Sequence, residues 1–321
     1  MLIGILAGLA TCALWGLTFV AARAVEPFTT WDLAIARYGI FGLASALLML
    51  DRRFRPIGMT RGRAAIGLML GGLGYIGYFV FAAYAVKLAG AALPPLIIGT
   101  MPILIALIAN RGDAALPWSH LTIPIGLIAA GLLTVNLDTL SAAPVAARSQ
   151  IIAGLACAGA ALAIWVVYGL VNAAVMRSAD APDGLRWTGL QGLGATIGSI
   201  LLLPFSSFGE THASLSNFIG WALLMGLAGS WAATFFWVVA SKRLPLALAA
   251  QLIVAETVFG LFYGFVFEMR WPTSAEWVGC MLEVLGLSAG IAAFGRHAGS
   301  ARKTSAGPLA SQISPDQPLR P

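Results

Sequence analysis

Glu256, Glu283 and Arg37 each fall inside an apolar run long enough to cross a bilayer. An ionisable group at the centre of such a run costs about 2.5–3.5 kcal/mol even on lenient scales, and function is the usual reason to bear it. Glu256 sits near the middle of a run at about 245–267, and Glu283 near the middle of one at about 275–294. Taking a carboxyl out of water disfavours its charged form. Either glutamate could therefore bind a cation or exchange a proton, and the plainer reading is a hydrogen-bonded side chain tying two helices together. Arg37 lies about six residues into a run at about 32–50. It could hold a substrate carboxylate or a helix C-terminus. The plainer reading is an arginine that pairs within the bundle or reaches out to the interface.

Trp15, Tyr75, Tyr78, Trp165, Tyr168 and Trp237 also fall in apolar runs. Aromatic rings suit apolar or cationic substrates through packing and ring-face attraction, and equally serve helix packing and interfacial belts. Gln191 and Asn172 are uncharged polar residues within runs, suited to lining a pathway or to interhelical hydrogen bonds. Asn136 and Asp138 come at the end of a run, where an interfacial or capping role is expected. No Lys-Ser/Thr follows a glycine run, so no ATP-binding loop is expected. His120, His212 and His297 lie in loops or the tail, and Cys12, Cys157 and Cys280 are scattered through apolar runs. Neither set has metal-ligand spacing. The expectation is no metal, no cofactor, no catalytic residue and no enzyme.

The elements that must position these side chains are transmembrane helices. Of 321 residues, 59% are hydrophobic and only 10% charged, against roughly 25% in ordinary soluble domains. Runs of about 20 apolar residues without two-residue alternation predict helices rather than barrel strands. Ten spans are expected, at about 3–22, 32–50, 65–86, 92–109, 121–140, 151–172, 186–205, 216–240, 245–267 and 275–294. Lys87 to Ala91 and Ser241 to Leu244 leave room only for tight antiparallel hairpins. The first run begins at Leu2 without a basic leader, so it is read as a span and not as a cleaved signal. The net charge of +6 gathers in alternate loops. Fourteen of the 19 basic residues fall on one side, five of them between Asp51 and Arg63; four fall on the other, and Arg37 is intramembrane. Both termini are therefore expected in the cytoplasm, and nucleic acid is not an expected partner. The segment 297–321, rich in Ser, Ala, Pro and Gly, is expected to be a disordered cytoplasmic tail.

The chain also echoes itself. A shift of 155 lays Lys87 on Lys242, Asp113 on Glu268 and Gly131 on Gly286, and Ala7-Gly8-Leu9-Ala10 resembles Ala153-Gly154-Leu155-Ala156. Five spans per copy is odd, so the second copy enters from the opposite side: two inverted five-helix repeats, 1–145 and 146–296. Several motifs fit one family. Leu14-Trp15-Gly16-Leu17-Thr18-Phe19, Ala36-Arg37-Tyr38, Thr100-Met101-Pro102-Ile103 and Glu256-Thr257-Val258 followed by Glu268 resemble, in that order, motifs of EamA-type transporters of the drug/metabolite transporter superfamily. Thr257 stands where that pattern often has proline and Phe267 where a glycine is common. A less broken ninth span is therefore expected.

The resemblance implies a secondary active exporter or exchanger of a small metabolite, such as an amino acid or amphipathic amine, in a bacterial inner membrane. The residues expected to line its pathway are Trp15, Arg37, Tyr75, Tyr78, Trp165, Tyr168, Gln191, Trp237 and Glu256. Glu256 and Glu283 are candidates for proton coupling. One chain holds a full pair of repeats, so a monomer suffices, with a dimer left open. Two other classes stay in view: an intramembrane lipid-modifying enzyme, and a receptor or scramblase that transports nothing.

Overall fold

A computed structural model describes residues 1–89, 97–109, 117–140, 148–208, 215–269 and 271–306. The expected 87–91 connection falls partly beyond these residues, as do Arg111, Asp113 and Arg270 and the side chains of Pro102, Asn136, Asp138, Thr257 and Glu268. The described residues form helices and no strand. In chain order they are α1 (Leu2–Gly16), α2 (Thr18–Ala24), α3 (Thr30–Leu48), α4 (Arg61–Gly71), α5 (Tyr78–Ala89), α6 (Met101–Ala109) and α7 (Trp118–Leu140). Then follow α8 (Arg148–Arg177), α9 (Gly184–Leu201), α10 (Leu215–Leu223), α11 (Ala233–Arg243), α12 (Leu246–Leu252), α13 (Val254–Glu268) and α14 (Ser274–Ala306). Thr30–Leu48, Arg61–Ala85, Ser149–Arg177 and Leu215–Arg243 are long and apolar enough to cross a membrane, and Leu2–Gly16, Val254–Phe267 and Trp277–Ala293 are shorter apolar helices.

Several expected spans are interrupted. The first breaks at Leu17, where the Val20 and Ala21 amides both donate to its carbonyl. The third contains a π turn at Gly72–Gly77, and the eighth a longer one at Leu224–Ala232. A shift of 155 carries 72–77 into 224–232 and places Tyr78, the first residue of α5, on Ala233, the first of α11. The ninth span is interrupted at a single residue. The chain tightens at Ile253, where the Glu256 amide reaches back only three residues to its carbonyl, and α13 starts afresh. The break falls one turn before Thr257, so the lack of a proline there does not prevent it. The last helix runs to Ala306, ten residues into the segment expected as tail, because nothing in 297–306 stops a helix before Gly307-Pro308.

Helix starts follow local chemistry. Thr29 and Asp32 form a reciprocal capping box at the head of α3, Thr60 caps α4 and Asp183 caps α9. The helices pack mainly across the two expected halves: α1 on α11 and α13, α3 on α9, α5 on α8, and α7 on α14. Small residues set the close approaches, as where Gly71 meets the Gln191 carbonyl and Gly194 meets the Leu68 carbonyl. Loops then lock onto neighbours. The buried Asp32 carboxylate accepts the Ser207 amide at 2.8 Å and its hydroxyl at 2.6 Å. Arg186 donates to the Arg53 and Ile57 carbonyls, and Arg63 pairs with Asp180 at 2.9 Å. The basic segment after α3 and the turn between α8 and α9 thus share one end of the bundle.

Candidate functional site

The α1 break, the two π turns and the α12–α13 break surround one region, and most of the expected pathway residues meet there. Trp165 on α8 stacks on Tyr168, with centroids 4.9 Å apart and planes 6° apart. Its other neighbours are Tyr78 at 5.0 Å, Trp15 at 5.4 Å and Tyr75 at 6.3 Å. Trp15 continues to Trp237 at 5.9 Å, and Tyr75 to Tyr38 at 5.9 Å and Phe41 at 6.0 Å. Five helices, α1, α3, α5 with its π turn, α8 and α11, thereby contribute to one aromatic cluster.

One side of the cluster is fully hydrogen-bonded. Tyr168 donates to Gln191 Oε1 at 2.9 Å, so its oxygen accepts from Tyr75 at 2.9 Å. Tyr75 in turn accepts from Thr234 at 2.6 Å. Gln191 and the Trp187 indole both donate to Asn172 Oδ1, and Asn172 donates to Ser241 Oγ at 3.2 Å. Every side-chain hydroxyl and amide in this run of hydrogen bonds is buried and partnered, which is what a low-dielectric interior demands. Arg177 closes the same end by donating to the Ser241 and Leu244 carbonyls.

The opposite side is more open. Tyr78, Trp165 and Glu256 are only half-buried, as are Leu14, Thr18, Phe259 and Tyr263. Glu256 occupies the first turn of α13, beside the α1 break: a Cβ added to Gly16 would lie 3.0 Å from the Gly260 nitrogen and 3.3 Å from the Glu256 carbonyl oxygen. Its carboxyl lies within electrostatic range of the Arg37 guanidinium. Arg37 donates to Ser230 Oγ at 2.8 Å, to the Gly229 carbonyl at 2.9 Å and to Thr18 Oγ1 at 3.1 Å, and lies 5.2 Å from the Tyr38 ring centre. These bonds occupy three of the five guanidinium N–H groups. The Gly229 carbonyl is offered by the π turn, whose altered register frees it from an ordinary helical bond. The Trp237 indole N–H, buried in the cluster, has no partner among the described residues.

Sequence reasoning missed Thr18, Ser230, Thr234 and Ser241. The signal was present: Ser230, Thr234, Trp237 and Ser241 repeat at helical spacing along one face of an otherwise apolar segment. Glu283 is not part of this site. It lies in the packing seam of α7 and α14, and none of the aromatic pairs found among the described residues involves either helix.

Residues 152–289 match the EamA-like transporter family. The chain is 28% identical over 309 residues to the inner membrane protein YtfF of Escherichia coli strain K12, covering 89% of this chain and 94% of that protein. A crystal structure of a protein 20% identical in sequence superposes with a TM-score of 0.74 over 91% of this chain and 98% of the other, which shows the shared fold. The second half of the chain is thus similar to the EamA-like transporter family, and the chain is similar to an inner membrane protein along most of its length.

Proposed function

We propose that the chain is a secondary transporter, an exporter or exchanger, that moves a small organic metabolite such as an amino acid or amphipathic amine by alternating access. The observation that carries this reading is the aromatic cluster at the meeting of broken helices, sealed by hydrogen bonds on one side and half-open beside Glu256 on the other. A site of that form, with interrupted helices at its wall, suits substrate binding between repeats. The unpartnered Trp237 N–H would meet an acceptor atom of the substrate, the rings its apolar or cationic part, and Glu256 a positive charge. The 155-residue offset shared by the π turns and by the starts of α5 and α11 supports two five-helix repeats and ten spans. The inverted relation and cytoplasmic termini rest on the odd span count and on the basic loops.

A thermal-shift screen of the purified protein against amino acids, amines and nucleobases should find a compound that raises the midpoint. Counterflow of that compound in proteoliposomes is the expected result. A compound that stabilises the protein but shows no counterflow would leave a receptor and end the transporter reading. For orientation, Gly62→Cys should resist an impermeant thiol reagent in intact cells while Phe208→Cys reacts; the reverse pattern would invert the topology.

A further inference from the structure

The buried ionisable group that the aromatic site leaves unused is Glu283. It is wholly buried, and neither carboxyl oxygen has a hydrogen-bond partner among the described residues. The seam around it is built twice. A Cβ added to Gly131 on α7 would lie 2.8 Å from Glu283 Cγ, and one added to Gly286 on α14 would lie 2.8 Å from Ile128 Cγ1. The shift of 155 that lays Gly131 on Gly286 also lays Ile128 on Glu283. The two contacts are therefore counterparts, one made by each half of the chain. An isoleucine fills the notch on one side, so packing alone does not call for a carboxyl on the other.

The surroundings offer nothing to compensate a charge. From α7 the seam presents Pro124, Ile128 and Gly131, from α12 Gln251 and from α13 Val254. Cys280, one turn earlier, is the titratable neighbour on its own helix, and no charged or titratable group faces Glu283 from α7, α12 or α13 among the described residues. Gln251 is the other polar side chain here. It packs against Gly290, seven residues and about 10 Å along α14, and its amide also lacks a partner. An isolated carboxylate in such a place is prohibitively costly. A metal cation would need several more oxygens than this one carboxyl supplies. A proton needs no other ligand.

We propose that Glu283 is a proton-binding site in the α7–α14 seam, separate from the aromatic site, loaded while the seam is closed and emptied when the seam opens to water. The step is the simplest possible: a hydronium ion gives up one proton and is left as water, so one O–H bond breaks there and one forms at a carboxylate oxygen. In a chain that transports as proposed above, it makes the proton the coupling ion; the binding site itself does not depend on that reading.

Infrared spectroscopy of the protein carrying isotope-labelled glutamate tests the site without any transport measurement. At neutral pH the wild type should show the carbonyl stretch of a buried, protonated carboxylic acid, and both Glu283→Gln and Glu283→Ile should lack it. Glu283→Ile copies the counterpart contact and should fold, with a thermal midpoint at or above the wild type. Identical spectra for wild type and Glu283→Ile would overturn the proposal. So would a carboxylate band at Glu283 that responds to sodium, which would make it a metal-cation site.

Discussion

Two carboxyls that look alike in the sequence occupy opposite kinds of place. Glu256 stands where a helix has been broken, half-buried, within charge-interaction range of Arg37 and beside a ring of aromatics. Glu283 stands in an unbroken helix, wholly buried against glycine, with no partner for either oxygen among the described residues. Broken helices bring backbone and side-chain polarity together, whereas a glycine seam packs a buried side chain closely. The comparison teaches that the interruption of a helix, more than the charge it carries, separates a carboxyl with polar neighbours from one without.

The largest effect should come from removing the charge at the broken helix. Glu256→Gln keeps shape and hydrogen bonding, so the protein should still insert and fold. Uptake of the compound found by thermal shift should fall by roughly tenfold or more, about 1.4 kcal/mol of lost interaction, and what remains should keep the pH dependence that Glu283 confers. Uptake unchanged in amount from acidic to alkaline pH would remove Glu256 from the mechanism and erase its contrast with Glu283.

The seam tests the contrast from the other side. Gly131→Val and Gly286→Val should each overpack α7 against α14 and cost about 1–3 kcal/mol, read as a lowered thermal midpoint. Because the two contacts are counterparts, the two losses should be similar. A large loss at Gly131 with none at Gly286 would show that the Glu283 side is built differently. Within the sealed half of the site, Tyr168→Phe removes the hydroxyl that joins Tyr75 to Gln191. That leaves the Gln191 carbonyl unpartnered and should cost about 1–3 kcal/mol, measurable by denaturation in detergent. A neutral result would mean that water replaces the hydroxyl and that this side is less sealed than its hydrogen bonds suggest.

The smallest effect belongs to the surface. Hydrogen bonds from Arg63, and then from Ser178, hold the Asp180 carboxyl below the usual carboxylate range. The contact is therefore intact above the ordinary range and is lost as pH falls through the lowered value. Hydrogen exchange of the 178–183 backbone should stay constant through mildly acidic pH and rise only below it. Asp180→Asn should remove the transition with little change in overall stability, as expected for an exposed pair.

By itself the sequence determined that this chain is helical and built for lipid. Long apolar runs without alternation leave the backbone no other way to satisfy its hydrogen bonds in a bilayer. It also picked out the residues, because polar and ionisable groups in such runs are rare enough to notice: Trp15, Tyr75, Tyr78, Trp165, Tyr168, Gln191, Trp237, Arg37 and Glu256 all meet in one region. What only the tertiary structure decided was where helices break and what faces what. The Ile253 break has no proline to announce it, since a π turn or a tightened turn depends on packing across helices rather than on local propensity. The separate place of Glu283 was illegible for the same reason: its seam depends on Gly131, 152 positions earlier in the chain. Ser230 and Thr234 read as neutral helix residues until Arg37 and Tyr75 arrive from the other half to bond them. Local pattern records how a residue relates to its own helix; the partner that gives it a role comes from more than 150 residues away.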